Sequence, residues 1–150
     1  MLSDLTILDF IKQGKIVIEN FDENNLTPNG YDVRVEEIFV EGEGNKFDIK
    51  GKKFFIVSTL EYLRFPDDLL GQIWLRTTWA RKGIITSAGL IDAGFEGKLN
   101  IMSYNSSDDL VRIEMGERYA QIIFIPLDRK AYLPYKKRSG HYFGQSGIIR

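Results

Sequence analysis

The chain has 150 residues, 43% of them hydrophobic and 27% charged, and a formal net charge of −1. That composition suits a single globular domain over 1–150 with a sizeable core. Zero cysteines exclude disulfides, thiolate metal sites and a cysteine nucleophile, and one histidine, His141, excludes a zinc centre that needs several His or Cys ligands. Interspersed charges leave no footprint for nucleic acid, and no apolar run reaches the length of a membrane span. The opening MLSDLTILDF lacks the basic region of a secretory leader, so a cytoplasmic protein is expected. Hydrolytic chemistry in such a chain has to rest on carboxylates, arginines and an oxygen-liganded ion such as Mg²⁺.

In chain order, Ser3 can cap a short helix running to about Gln13, with Leu5, Leu8 and Phe10 or Ile11 on one side and Gly14 as the stop. Thereafter the hydrophobic period is two. IVIEN opens the series, and YDVRV alternates Tyr31, Val33 and Val35 against Asp32 and Arg34. The phase shifts before Ile38 and Val40, which predicts a bulge or bend. Further strands are expected in KFFIVS, GQIWL, KLNIMSY, VRIEM and YAQIIFIP. Short, numerous strands separated by Gly, Pro, Asn and Asp predict a β-sandwich or barrel of jelly-roll type. The last dozen residues, from about 138 onward, show neither period and read as a flexible tail.

The segment AGLIDAGFEG at 88–97 sets a carboxylate, Asp92, among small residues. Taken alone it is ordinary turn chemistry, with the carboxylate bonding its own backbone. Four other stretches accompany it in order: GYDVRV at 30–35, RTTWARKGI at 76–84, GERYAQIIF at 116–124 and RSGHYFGQSG at 138–147. Together the five resemble the motifs of the trimeric dUTPase and dCTP deaminase superfamily. The N-terminal MLSDLTILDFIKQGKI is also similar to the start of a dCTP deaminase, so the resemblance spans nearly the whole chain.

The resemblance implies a mainly β, distorted jelly-roll barrel of dUTPase type, with a short N-terminal helix and a flexible C-terminal motif. It implies a homotrimer with shared active sites, a nucleotide substrate and Mg²⁺. In the deaminase branch a glutamate after the aspartate motif carries the proton work. Counting from Gly97, that position is Met102, whose thioether has no titratable proton. GLID at 89–92 matches the dUTPase pattern, and the expectation is therefore a dUTP pyrophosphatase forming dUMP and pyrophosphate, with Asp92 as general base. Two alternatives stay open. One is a dCTP deaminase or bifunctional enzyme in which another acid, such as Glu96, replaces the glutamate. The other is a non-catalytic nucleotide-binding homologue.

Further roles follow from the same resemblance. Phe95 lies under the deoxyribose, and Arg76, Thr77 and Thr78 bind phosphate oxygens. Arg81 matches the second arginine of the deaminases. Asp32 orients metal-bound water rather than ligating the metal itself. Arg118 and Gln121 contact phosphate and water. In the tail, Arg138 adds charge, Phe143 covers the uracil, Gly144 allows close backbone approach, and Gln145 and Ser146 reach the γ-phosphate.

Overall fold

A computed structural model describes residues 1–138 and 141–149. Ser139 and Gly140, inside the RSGHYFGQSG motif, and Arg150 lie outside the described residues. Helix α1 (Asp4–Lys12) starts as the sequence predicts, with the Ser3 hydroxyl accepting from the Thr6 amide, and Gly14 follows its end at φ +67°. Its buried face differs from the expected one. Ile7 is fully buried with Phe10 and Ile11 packed nearby, whereas Leu5 is 71% exposed. The rotation has a local cause, because Leu2 N donates to Phe124 O and Asp4 N to Pro28 O, pinning the helix entry to the sheet.

The rest is strand, turn and loop. Short strands β1 (Val17–Ile18) and β2 (Leu26–Thr27) flank a 3-10 turn at Glu23–Asn25, and β3 (Gly30–Val40) follows. Then come β4 (Gly44–Asn45), β5 (Asp48–Ile49), β6 (Phe54–Arg64) and β7 (Leu69–Leu75). After the one-turn helix α2 (Thr77–Ala80) the chain forms β8 (Ile84–Thr86), β9 (Leu90–Ile91), β10 (Glu96–Asn105), β11 (Val111–Arg112) and β12 (Arg118–Pro126). A last turn of helix, α3 (Tyr135–Arg138), precedes the tail. Expected strands IVIEN and VRIEM shrink to two residues each: the first pairs only with the end of β6, and the second only with β5 in a separate two-stranded sheet.

The principal sheet runs β8-β10-β6-β3-β12-β7-β9 and curls into a half-barrel. Strand β3 is the corner. Its first half pairs with β12 and its second half with β6, with a register shift between Val35 and Glu37. That shift is the predicted phase break, and it lets one strand serve both walls. Tyr31, Val33, Val35, Phe55, Val57, Leu63, Ile101, Tyr119, Ile122 and Phe124 fill the space between the walls. Each such side chain contributes about 1.5–3 kcal/mol by leaving water. A buried ion pair ties the GYDVRV strand to β6: Glu61 accepts from the Arg34 amide at 2.8 Å and from Arg34 Nε at 2.7 Å. Burial pushes the Glu61 carboxyl upward, opposed by those Arg34 bonds.

At the start of β3, a side chain on Gly30 would put its Cβ 2.4 Å from the Ile122 carbonyl oxygen. Gly30→Ala should therefore destabilise the fold by about 1–3 kcal/mol, the usual cost of overpacking. A lowered denaturant midpoint at unchanged slope would show it; an unchanged midpoint would mean that β3 and β12 separate freely there.

Candidate active site

Strand β9 ends with buried Ile91, and the next three residues turn the chain into β10. The turn is held from outside. Gly94 N donates to Pro66 O, Phe65 N to Phe95 O, and Tyr135 N to Ala93 O. Because Ile91, Ala93 and Phe95 face inward, Asp92 is driven out to solvent. Among the described residues its carboxylate makes no hydrogen bond or ion pair; only its backbone oxygen is used, by Phe95 N. The turn reading of this aspartate required the carboxylate to bond its own backbone, and it does not.

Asp92 borders a cavity of about 460 Å³ between β9, the start of β10 and the tail. That is large enough for a nucleoside. Of the residues expected from sequence, Phe95 and Gln145 share this cavity with Asp92. Phe95 is buried and its ring sits 5.7 Å from that of Tyr135, so it forms a floor braced from behind. Met102 also lines the cavity, half exposed, as a proton-free surface. Glu96 does not line it; its carboxylate accepts from the Tyr62 hydroxyl at 3.3 Å. Among the described residues Asp92 is thus the only carboxylate on the wall. Lys98 is on the wall too, but its ammonium is taken up by Glu36 at 2.5 and 2.6 Å.

The other expected residues gather elsewhere. Buried Asp32 faces Arg76 Nε at 3.0 Å and Arg118 Nη1 at 3.7 Å. Trp79 Nε1 donates to the Arg118 carbonyl at 2.9 Å, fixing that corner. Thr77 and Thr78 are exposed at the start of α2, right after Arg76, and Arg81 is exposed at its end. Gln121 stands opposite Asp32 in the ladder and donates to Thr27 Oγ1 at 2.6 Å. None of these residues lines the Asp92 cavity. Asp32 here positions two guanidiniums, whose charge would repel a divalent cation. Among the described residues no group of three or more His, Cys, Asp and Glu could hold a metal ion. The described residues therefore form no protein cage for Mg²⁺.

Burial raises the Asp32 carboxyl above its ordinary value, opposed in part by Arg76 and then Arg118. A raised carboxyl favours the folded state when protonated. Its contribution is complete below the unfolded value of about 4 and is lost as pH rises through the folded one. Asp32→Asn should remove this dependence, so its stability relative to the unmodified chain should improve as pH rises from about 4. Thermal melts across pH would check it; parallel profiles would refute the assigned direction.

The tail docks on its own chain. Gly144 N donates to Glu96 O and Lys98 N to Gln145 O, and Gln145 bridges to Gly97 in parallel. An added Cβ would lie 3.0 Å from Gln145 N at Gly97 and 2.7 Å from Pro134 at Gly94. These glycines therefore admit the C-terminal segment itself. Phe143 does not reach the Asp92 cavity; Lys136 Nζ lies 4.8 Å from its ring centroid. Arg138 and Ser146 are exposed. Residues that the motif reading missed on the cavity wall are Asn100, Tyr135 and Tyr142. The period of two along KLNIMSY did carry a signal, since Lys98, Asn100 and Met102 share the face opposite Leu99 and Ile101.

The family model of dCTP deaminase-like proteins matches residues 35–127. Among curated proteins, the chain is 38% identical to a dCTP deaminase of Pyrococcus horikoshii, covering 90% of this chain and 89% of that one. It is 31% identical to a dCTP deaminase, dUMP-forming, of Aquifex aeolicus, covering 99% and 92%. Among solved structures, a 2'-deoxycytidine 5'-triphosphate deaminase from Agrobacterium tumefaciens superposes with a TM-score of 0.71 at 18% identity, over 82% of this chain and 46% of that one. A dUTPase of Staphylococcus bacteriophage 80alpha gives 0.58 at 20% identity, over 77% and 92%. The fold is thus that of the dUTPase and dCTP deaminase superfamily, and the chain belongs to the dCTP deaminase-like family.

This corrects the expectation of a dUTP pyrophosphatase. It rested on Met102 and on the GLID match at 89–92, whereas the curated relatives at 31% and 38% identity over nine tenths or more of the chain are named dCTP deaminases. A missing glutamate in one strand shows which group does not move the proton. It does not show which reaction is run.

Proposed function

We propose that this protein is a dCTP deaminase, adding water to C4 of the cytosine and releasing ammonia to give dUTP. The observation that carries the reading is the unpaired Asp92 carboxylate on a nucleoside-sized cavity, in a chain whose relatives are named for this reaction. As water adds, the C4–O bond forms and Asp92 takes the water proton. It returns a proton to the amino nitrogen as the C4–N bond breaks. A carboxylate on the wall can move in both roles, whereas the Met102 thioether can move in neither. Mg²⁺ would arrive on the triphosphate rather than in a protein cage.

One chain alone leaves this site without cations for three phosphates. Asp92 sits in one cluster, and Arg76, Thr77, Thr78, Arg118 and Gln121 in another. A homotrimer joins them if the arginine corner of one chain completes the cavity of the next. An exposed apolar row across three strands, Ile85, Tyr104 and Phe54, continued by Met102, supports such burial. Incubation with dCTP, with ammonia and phosphate products measured together, tests the reaction. Ammonia with dUTP is the expected result, and pyrophosphate appearing with ammonia would mean the dUMP-forming reaction. Nucleotide hydrolysis with no ammonia would overturn the reading.

A further inference from the structure

We infer that Asn100 is a base-reading residue: its side-chain oxygen accepts a hydrogen bond from the exocyclic amino group of a cytosine in the Asp92 cavity. The inference rests on the site being a dCTP site, and it names the group that selects the base there. On β10 the core takes Leu99 and Ile101, so Asn100 projects from the other face together with Met102, and both line the cavity.

The orientation of the Asn100 amide is fixed by chemistry. Its Nδ2 donates to the carbonyl oxygen of Gly147 at 3.1 Å. A carbonyl can only accept, so the amide nitrogen must face Gly147 and Oδ1 must point away from it. That Oδ1 is buried and, like the Ser58 hydroxyl and Gln145 Nε2, has no partner among the described residues. Directly opposite on β6, Ser58 is fully buried, and its hydroxyl has no partner either. Gln145, which lines the same cavity and is 7% exposed, has an Nε2 with no acceptor. Buried polar groups are nearly always paired, and two of these unpaired ones, on Asn100 and Gln145, belong to residues of the cavity wall, where a polar ligand would pair them.

The wall therefore offers one fixed acceptor and one donor. Cytosine presents an amino donor at C4 beside ring acceptors at N3 and O2. Amino group to Asn100 Oδ1, with Gln145 Nε2 free to donate to a ring acceptor, satisfies both sides. Uracil carries an oxygen at C4, which would set two acceptors against each other. The same oxygen that holds the substrate amino group thus disfavours the deaminated base. The period of two sets Asn100 on the same face as Met102 but does not mark it as a reader of the base, because a strand asparagine is ordinary surface until its burial and amide orientation are known.

The test is equilibrium binding of dCTP and of its 2-pyrimidinone analogue, which lacks only the 4-amino group. Both are measured in an Asp92→Asn background, with nucleotide integrity verified by chromatography. The Asn100-containing chain should prefer dCTP by about tenfold, the scale of one buried hydrogen bond. Asn100→Ala should bring that ratio close to one. Asn100→Asp keeps the acceptor but sets an oxygen against the Gly147 carbonyl; it should weaken both nucleotides and keep the preference. An unchanged ratio in Asn100→Ala would overturn the inference, as would equal weakening of both nucleotides, which would leave the residue as a seat for the tail. Loss of the preference in Asn100→Asp would overturn it as well. A preference for dCTP that depends on Asn100 in a chain that releases no ammonia would refute the proposed reaction and leave the base reading standing.

Discussion

Asp92→Asn should still bind dCTP and should release ammonia at least ~10²-fold more slowly, the usual scale for removing a general acid–base group. Asparagine keeps the size of the side chain, and the fold loses nothing, because no hydrogen bond or ion pair of the carboxylate exists among the described residues. The turn around it is held by backbone bonds from Phe95, Gly94 and Tyr135, all independent of the side chain. An idle, exposed turn residue thus predicts no effect on stability and none on turnover. A chemical role predicts no effect on stability and a large one on turnover. Melting temperature, dCTP affinity and kcat measured on one preparation separate these outcomes. Near-normal kcat would return Asp92 to the status of an exposed turn residue and leave the cavity without a proton carrier.

Much of the fold was legible because strand formation here follows a period of two in short runs. The phase break before Ile38 was visible as a pattern and proved to be the bend by which β3 joins both walls. The helix face was not legible, since backbone bonds from Leu2 and Asp4 to the sheet set its rotation. The site was half legible. Motif order pointed to Asp92, Phe95 and Gln145, which do share a cavity, and to Asp32, Arg76, Arg118 and Gln121, which do cluster. It could not reveal that these are two places in one chain. Nor could it show that Gly94 and Gly97 make room for Pro134 and Gln145 rather than for substrate. The reaction was not legible, because Met102 and the four residues of GLID outweighed the similarity of the rest, and such local differences constrain the path of a proton more tightly than the choice of substrate.

Mixing Arg76→Ala chains with Asp92→Asn chains should restore activity that neither has alone. Arg76 is the cation closest to Asp32 in the second cluster, and a guanidinium that pairs with phosphate contributes through geometry as well as charge. Alone, each variant lacks one half of every site. In a ring of three with head-to-tail contacts, a site regains both halves when an Arg76→Ala chain supplies the cavity and its Asp92→Asn neighbour supplies the arginine. Random equal mixing gives about a quarter of such sites. The cis-docked tail makes the contrasting pair informative. Deleting residues 138–150 removes Gln145 from the same cavity that holds Asp92, so turnover should collapse while assembly persists. A shared site of the kind the resemblance implies would also allow the tail to close over a site built mainly by other chains, and then tail deletion should complement Asp92→Asn. With the tail seated on its own β10, those two lesions fall in one cavity and mixing should restore nothing. Subunit exchange would be verified by mass, and assembly by light scattering. Rescue of Asp92→Asn by the tail deletion but not by Arg76→Ala would place the tail in trans. A monomer, or no rescue from either pairing after verified exchange, would refute the shared site.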